Sequence, residues 1–335
     1  MQKLKKYFLS IWFTLTVIVY ASVLVSPLSL EYSSLISLAI PVLIVLNLIG
    51  LLFCILFKMK KWWVYLILLI LAWPFYNALI QFNTHDSVEE DDIKVISYNV
   101  KFFIDARKNN YQDVIDWLLT QDADILCLQE FYPKRNISAR IIKGGGYENA
   151  TIDSRYNVAL YSKYPIIKKG LLFPESELNN VLYADLQKED QVIRVYSVHL
   201  QSMGINPEKI QDREGIQTEY EDVKLKLLKG GKERAAQVKV LLEHAQNSPH
   251  PVIIAGDFND TPLSHNYFKL KRLYNNAHEH KGQWLGVTYN GKIPFLRIDH
   301  HFYDQDGLDL ISFNAYNDIY YSDHFPLIGY YRIKP

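Results

Sequence analysis

The chain has 335 residues, 36 Lys+Arg balanced by 36 Asp+Glu, and two cysteines. Zero formal net charge argues against a chain-wide basic surface for nucleic acid, leaving room only for a local patch. Two cysteines exclude a disulfide-stapled scaffold, and at about 100–200 residues per domain the length allows one to three domains.

The chain begins with an apolar quarter, residues 1–80. Three runs, about 7–26, 35–57 and 62–80, contain no Lys, Arg, Asp or Glu. Each is near the ~20 residues that a helix needs to cross a bilayer core. Charges there would be costly, so their absence fits lipid exposure and predicts three transmembrane helices. The first run follows Lys3, Lys5 and Lys6, as a signal peptide would, but it is long and leads straight into further spans. Lys58, Lys60 and Lys61 lie between the second and third runs. Both basic stretches belong on the cytoplasmic side. The expectation is therefore a multi-pass membrane protein with its C-terminal domain on the extracytoplasmic face, which is the periplasm if the membrane is the inner membrane of a Gram-negative bacterium. Pro41, Asn47, Pro74 and Asn77 interrupt the runs, and none is ionisable, so residues 1–80 read as an anchor rather than an ion path. Trp62 and Trp63 suit the interfacial belt.

Residues 81–92 are polar and acidic and read as a linker to a domain over 93–335. The charges of residues 1–92 cancel, so this domain is neutral as well. From 93 onward, short apolar runs alternate with helical patterns. Strands are predicted at 93–99, 124–129, 157–162, 181–187, 191–199, 251–256, 297–303 and 325–331. Several are β-branched and nearly continuous, as in strands buried on both faces. Helices are predicted at 110–120 and 232–246; in the second, Ala235, Val238, Leu241, Leu242 and Ala245 share one face. The charged segment 203–231, ending in Gly230-Gly231, reads either as a partly helical loop at the site mouth or as a solvated insertion. Cys54 lies in a membrane run and Cys127 in a buried strand, so they do not pair.

Polar residues punctuate the strand ends. In PVIIAGDFND (251–260), Asp257 and Asn259 are two apart and project from one face of an extended chain. Gly256 permits close backbone approach, although Gly, Asp and Asn are also ordinary turn residues. In YSDHFPL (321–327), Asp323 suits a hard cation and His324 can move protons near neutral pH, while a turn before a strand is the plain alternative. Asp299 in LRIDHHFYD (296–304) is a carboxylate inside a strand pattern, needing a partner if buried. Alternation sends the neighbouring His300 and His301 to opposite faces. Glu130 ends DILCLQE, placed to bind metal or simply solvated. Asn99 sits inside VISYNV, and His199 ends VYSVHLQS.

Taken in order, Asn99, Glu130, His199, Asp257-x-Asn259, Asp299 and Asp323-His324 form one constellation. It resembles the endonuclease/exonuclease/phosphatase family over about 93–335, and no catalytic position of that family is missing. The stretch TYNGKIPFLRID is similar to anchored or secreted bacterial members. The resemblance implies a four-layer α/β/β/α sandwich behind the three membrane helices. It implies a Mg²⁺- or Mn²⁺-dependent phosphoric ester hydrolase, with Asn99, Glu130 and Asp323 at the metal. Asp257 would align or deprotonate water, Asn259 would orient phosphate oxygens, and Asp299 would pair with His324. His199 would donate to the phosphate or protonate the leaving group. The substrate reading stays open between nucleic acid, favoured by a local basic patch around Lys101 and Arg107, and a phospholipid headgroup or small phosphate such as an inositol phosphate, favoured by the membrane tether. A non-catalytic tethered binding domain is the third reading. Nothing in the sequence specifies an oligomeric state.

Overall fold

The structure, a computed structural model, describes residues 2–103, 111–132, 135–153, 157–175, 179–202 and 215–335. Arg107 and residues 203–214 of the charged segment lie outside the described residues. The described residues group into two compact units.

The first unit comprises residues up to 79, 215–235 and 262–269. Its N-terminal helices are α1 (Gln2–Ala21), α2 (Ser33–Ser37), α3 (Ile40–Leu56), α4 (Trp62–Leu71) and α5 (Trp73–Leu79). Two stretches, Tyr7–Leu24 and Ser33–Leu56, are long and apolar enough to cross a membrane, and α4 with α5 makes a third if that pair, bent by 51°, counts as one span. The bend has a local cause. Pro74 has no N–H to offer the Ile70 carbonyl, and its ring crowds the preceding turn. Asn47, the one amide inside α3, is fully buried and satisfied between helices. Its Oδ1 accepts from Trp12 Nε1 at 2.9 Å, and its Nδ2 donates to the Tyr20 hydroxyl at 3.3 Å. An unpaired amide in an apolar bundle would be costly, so this pairing fixes how α1 and α3 face each other.

The second unit holds the mixed α/β part. In chain order the elements are β1 (Gln81–Phe82), β2 (Ile93–Asn99), α6 (Tyr111–Thr120), β3 (Ile125–Gln129), α7 (Arg135–Gly145), β4 (Asn149–Asp153), β5 (Val158–Ser162), β6 (Ile166–Leu171), β7 (Val181–Lys188), β8 (Gln191–His199), α8 (Gly215–Gln246), β9 (Val252–Asp257), α9 (His265–Leu270), β10 (Asn275–Asn276), α10 (Ala277–Lys281), β11 (Gln283–Trp284), β12 (Asp299–Tyr303), β13 (Leu308–Ala315) and β14 (Leu327–Ile333). Of α8 and α9, residues 215–235 and 265–269 belong to the first unit. Two six-stranded sheets run β13-β14-β2-β3-β5-β4 and β10-β12-β9-β8-β7-β6. Each contains one parallel pair, β2–β3 in the first and β8–β9 in the second, with antiparallel neighbours on either side.

The sheets pack face to face. Val95, Cys127 and Leu160 of the first meet Leu182, Val195 and Ile253 of the second in one buried cluster. The opposite face of the first sheet, through Ile96, Leu126 and Tyr161, buries Val114, Ile115 and Leu118 of α6 and Ile137 and Ile141 of α7. On the outer face of the second sheet, the α8 residue His244 hydrogen-bonds the Tyr196 hydroxyl at 2.7 Å and packs on Tyr183. The result is the expected four-layer sandwich. Continuous apolar strands are explained by it, because both faces of the central strands are covered.

All eight predicted strands exist within a few residues of their expected bounds, and both helices form. Helix α8 is longer than its predicted 232–246, starting at Gly215. Gly231 does not break it, because a Cβ there would lie 2.7 Å from the Ser34 hydroxyl, so close packing compensates for the weak helix former.

The histidines beside Asp299 separate as alternation predicts. His301 points into the inter-sheet core, where its Nε2 pairs with Ser97 Oγ at 2.8 Å and its Nδ1 with the Tyr331 hydroxyl at 2.9 Å. His300 faces away and bonds the Asp260 carbonyl at 3.0 Å. Burial pushes both imidazoles down to about 3, and burial with nearby Arg297 pushes His278 down to about 2. All three are neutral in the fold, whereas in the unfolded chain each gains a proton below its ordinary value of 6.5. Their contribution is therefore complete above that value and is lost as pH falls toward 3, at about 1.4 kcal/mol per pH unit for each. The thermal midpoint of the full-length protein, followed by near-ultraviolet circular dichroism, is expected to drop from pH 6.5 to 5, before most carboxylates titrate. A flat midpoint across that window would show that these imidazoles are solvated.

Candidate active site

Strand direction assembles the polar residues. Parallel strands β2 and β3 end in register, Asn99 opposite Gln129, and β8 and β9 end in register, His199 opposite Asp257. Carboxyl ends of parallel strands thus bring Asn99, Glu130, His199 and Asp257 to one edge of the sandwich. The antiparallel neighbours run the other way, so their beginnings arrive at the same edge. Asp299 starts β12 directly opposite Asp257, and Asp323-His324 precede β14.

Asp257 is almost fully buried. Its Oδ1 accepts the Asn259 backbone N–H at 2.8 Å. Its Oδ2 accepts Asn99 Nδ2 at 3.0 Å and Asn259 Nδ2 at 3.2 Å. The same Asn99 Nδ2 also reaches Glu130 Oε1 at 3.1 Å. One amide therefore braces two carboxylates, while its own Oδ1 accepts the Lys101 backbone N–H at 3.1 Å. Gly256 makes the approach of β8 to β9 possible. An added Cβ would lie 2.2 Å from the Val198 carbonyl oxygen, and its φ of +142° is one that only glycine adopts with ease.

His324 Nδ1 pairs with Asp299 Oδ2 at 2.8 Å, and its Nε2 lies 3.9 Å from Asp257 Oδ2. Asp299 is held in turn, its backbone N–H donating to the Thr288 hydroxyl at 3.1 Å. Burial disfavours the imidazolium, but the Asp299 and Asp257 carboxylates outweigh it and raise the His324 pKa to about 10. Burial and the Asp299 charge raise the Asp257 carboxyl above the usual carboxylate range, opposed by His324, His199 and the Asn259 N–H. His199 sits between the two carboxylates, its Nε2 3.9 Å from Glu130 Oε1 and 4.0 Å from Asp257 Oδ2, with Asn179 Nδ2 at 3.2 Å. Burial lowers its pKa despite Asp257, so it is the neutral histidine beside a cationic one.

Asp257, Asp299 and His324 present ligand atoms within 4.8 Å of one another, close enough for a cation by distance alone. A protonated imidazole has no lone pair for a metal, however, so the group is better suited to holding and moving protons. The partly exposed carboxylates Glu130 and Asp323 make the better fit to a hard divalent ion, which favours carboxylate oxygens and retained water. Glu130 is held at φ +47° and Asn259 at φ +50°, both in the left-handed region. Such conformations cost energy and persist where surrounding contacts over-determine them.

Every sequence-predicted site residue lies at this edge. Sequence reasoning missed four others. Lys101 Nζ pairs with Asp323 Oδ2 at 2.6 Å. Ser322 Oγ donates to the Asn99 carbonyl at 2.8 Å, Tyr289 packs its ring edge-on to His324 with centroids 5.4 Å apart, and Asn179 touches His199. The only sequence signal for Lys101 was its proximity to Asn99, read as part of a basic patch. The others lie in loops where Ser, Asn and Tyr are unremarkable.

A family model described as endonuclease/exonuclease/phosphatase matches residues 96–324, and one described as a domain of unknown function matches residues 4–79. No curated protein matches the sequence significantly. Among solved structures, the endonuclease/exonuclease/phosphatase from Bacteroides vulgatus is similar at 15% identity and TM-score 0.53, over 72% of this chain and 99% of that one. An endonuclease/exonuclease/phosphatase from Beutenbergia cavernae aligns at 14% identity and TM-score 0.52, over 73% of this chain and 72% of that one. D. rerio TDP2 complexed with single strand DNA product aligns at 16% identity and TM-score 0.53, over 72% of this chain and 100% of that one. These likenesses show the fold, and the family match covers more than half of the sequence together with each of the strand-end motifs: the chain belongs to the endonuclease/exonuclease/phosphatase family.

Proposed function

We propose that this chain is a membrane-tethered, divalent-metal-dependent phosphodiesterase. The observation that carries the reading is the buried Asp257 facing the Asp299–His324 ion pair, with Glu130 and Asp323 beside them. A phosphodiester repels nucleophiles through its anionic oxygens. Mg²⁺ or Mn²⁺, held by Glu130 and Asp323, would supply charge neutralisation at that phosphate and its leaving oxygen.

The remaining work falls to the chain's own groups. Asp257, with its raised pKa and its orientation set by Asn99 and Asn259, accepts the proton of the attacking water. The His324 imidazolium, kept charged by Asp299, donates its Nε2–H to a phosphoryl oxygen. Asn259 and Asn99 keep Asp257 from rotating. In this reading His199 donates to the phosphate or the departing oxygen, which requires the tautomer protonated at Nε2 and a turn away from the Asn179 amide that faces it. Lys101 adds a second cation beside Asp323. Residues 1–80 act as the anchor, 81–92 as the linker and 93–335 as the catalytic domain. The basic stretches around Lys3–Lys6 and Lys58–Lys61 favour the cytoplasmic side, which supports a catalytic domain outside the cytoplasm. Tethering concentrates the site at the bilayer, which supports a phospholipid-headgroup substrate as the second reading.

The test uses the full-length protein in detergent with Mg²⁺ or Mn²⁺, and DNA, RNA, phospholipids and inositol phosphates as substrates. Turnover of one class, abolished by EDTA and in Asp257→Ala, is the expected result. A folded, metal-binding protein that hydrolyses none of them would sink the reading.

A further inference from the structure

Helices α1, α3 and α4 flank a cavity of about 600 Å³, whose lining includes Trp12, Ile49, Phe53, Met59, Lys61 and Tyr65. Its size falls within the roughly 300–1,000 Å³ of small-molecule sites. Among the described residues lining it, Lys61 carries the only charge.

The walls are fixed. Trp12 is held by Asn47, whose Oδ1 accepts its Nε1–H at 2.9 Å, and its ring stacks on Phe8 with centroids 6.5 Å apart. Tyr65 seats its ring on Gly50, where an added Cβ would lie 2.5 Å from the Tyr65 Cε1. The charged end is set by how α3 stops. Lys58 takes the left-handed region at φ +51°. The Met59 N–H donates to the Cys54 carbonyl at 2.8 Å, and the Lys58 N–H to the Ile55 carbonyl at 3.1 Å. This pair of bonds satisfies the last carbonyls of a helix and turns the chain out of it. The turn delivers Met59 and Lys61 to the cavity and carries Lys58 and Lys60 as well. The cavity is thus apolar between the helices and cationic at the turn.

We propose that this cavity takes one acyl chain of an anionic phospholipid of the cytoplasmic leaflet, with the lipid phosphate at Lys61; this rests on the membrane-tether part of the reading above. Three alternatives fit worse. Buried water needs about two to four polar partners, and the lining is aliphatic and aromatic apart from Lys61, Cys54 and the Tyr65 hydroxyl. A helix of a second copy would need small residues to come close, and the one glycine in the lining, Gly50, already lies under Tyr65. A zwitterionic headgroup brings no net charge to answer Lys58, Lys60 and Lys61. An anionic one does, and basic pockets between membrane helices on the cytoplasmic side suit such headgroups.

The experiment uses full-length protein purified in detergent and native mass spectrometry. Dioleoyl phosphatidylglycerol and dioleoyl phosphatidylcholine are titrated in parallel; they share their acyl chains, so a difference reads the headgroup. Wild-type protein is expected to retain one phosphatidylglycerol per chain in preference to phosphatidylcholine. A lysine beside an anionic headgroup is worth roughly fivefold in affinity. Lys61→Gln is therefore expected to weaken phosphatidylglycerol retention by about that much and to leave phosphatidylcholine unchanged. Ile49→Trp, at a lining position that is 55% exposed, fills the cavity and is expected to remove the retained phosphatidylglycerol. Should that variant fail to fold, the wild-type lipid comparison and Lys61→Gln still decide. Equal retention of the two lipids by wild-type protein, unchanged retention in a folded variant, or a dimer in place of bound lipid would overturn the proposal. Extraction of the full chain from membranes by alkaline carbonate would overturn the tether, and this site with it. A chain that stays in the membrane yet shows no lipid preference overturns the site alone.

Discussion

Asp257→Asn is expected to lower kcat by about 10²–10⁴-fold while changing KM little, which is the usual worth of a positioned general base. The substitution is nearly isosteric. Its amide oxygen can still accept the Asn259 N–H, so the β9 end keeps its shape. What disappears is the negative charge beside His324 Nε2, 3.9 Å away, and the lone pair that takes the water's proton. Stability is expected to fall modestly: relief of the penalty that burial and the Asp299 charge place on the carboxyl is opposed by loss of the two bonds that Oδ2 accepts from Asn99 and Asn259. Steady-state kinetics with a thermal melt on the same preparation check both halves. A variant that keeps near-wild-type kcat would remove Asp257 from the proton path and leave it a structural brace between Asn99 and Asn259.

The second large effect is expected from Asp299→Asn, again a fall in kcat of about 10²–10⁴-fold, by analogy with losing the orienting carboxylate of a catalytic histidine. Asp299 does two things for His324. It fixes the ring through the 2.8 Å bond to Nδ1, and it supplies the largest of the charges that offset burial. With an amide there, the ring loses its charge or its orientation. Asp299 does not reach the phosphate in this reading, so its effect runs through His324. The double variant Asp299→Asn/His324→Ala is therefore expected to be no slower than His324→Ala alone. Additive losses would mean that Asp299 acts independently, at the metal for instance. Metal affinity, measured by calorimetry, is expected to change little in either single variant, since Glu130 and Asp323 are untouched.

The elements most legible in the sequence were those whose burial is extreme. Central strands such as β3 and β9 are covered on both faces, so ILCLQ and VIIAGD stand out as unbroken apolar runs. Edge strands were not seen. Strand β6, IIKKGL, is mostly exposed and carries Lys168 and Lys169, so it resembles a loop. Helix α7, RNISARIIKGG, ends in glycines and has few apolar residues, although Ile137 and Ile141, four apart, fill the layer beneath it. Strand β13 lies at an edge of the first sheet, paired on one side only.

By itself, the sequence determined the apolar spans, the alternation that sends Asp299 and His301 to one strand face, and the polar residues that close the central strands. These are local properties, set by side-chain chemistry at a spacing of a few residues. The tertiary structure alone decided which of those residues meet. Asp299 lies opposite Asp257 because β12 is antiparallel to β9, and Asp323 meets Lys101 across 222 positions of chain. It also decided that His301 ties the two sheets together through Ser97 and Tyr331, and that Trp284 and Phe295 stand out in the left-handed region. Pairing partners and backbone strain depend on the closure of long loops, and a local pattern of polarity carries no term for it.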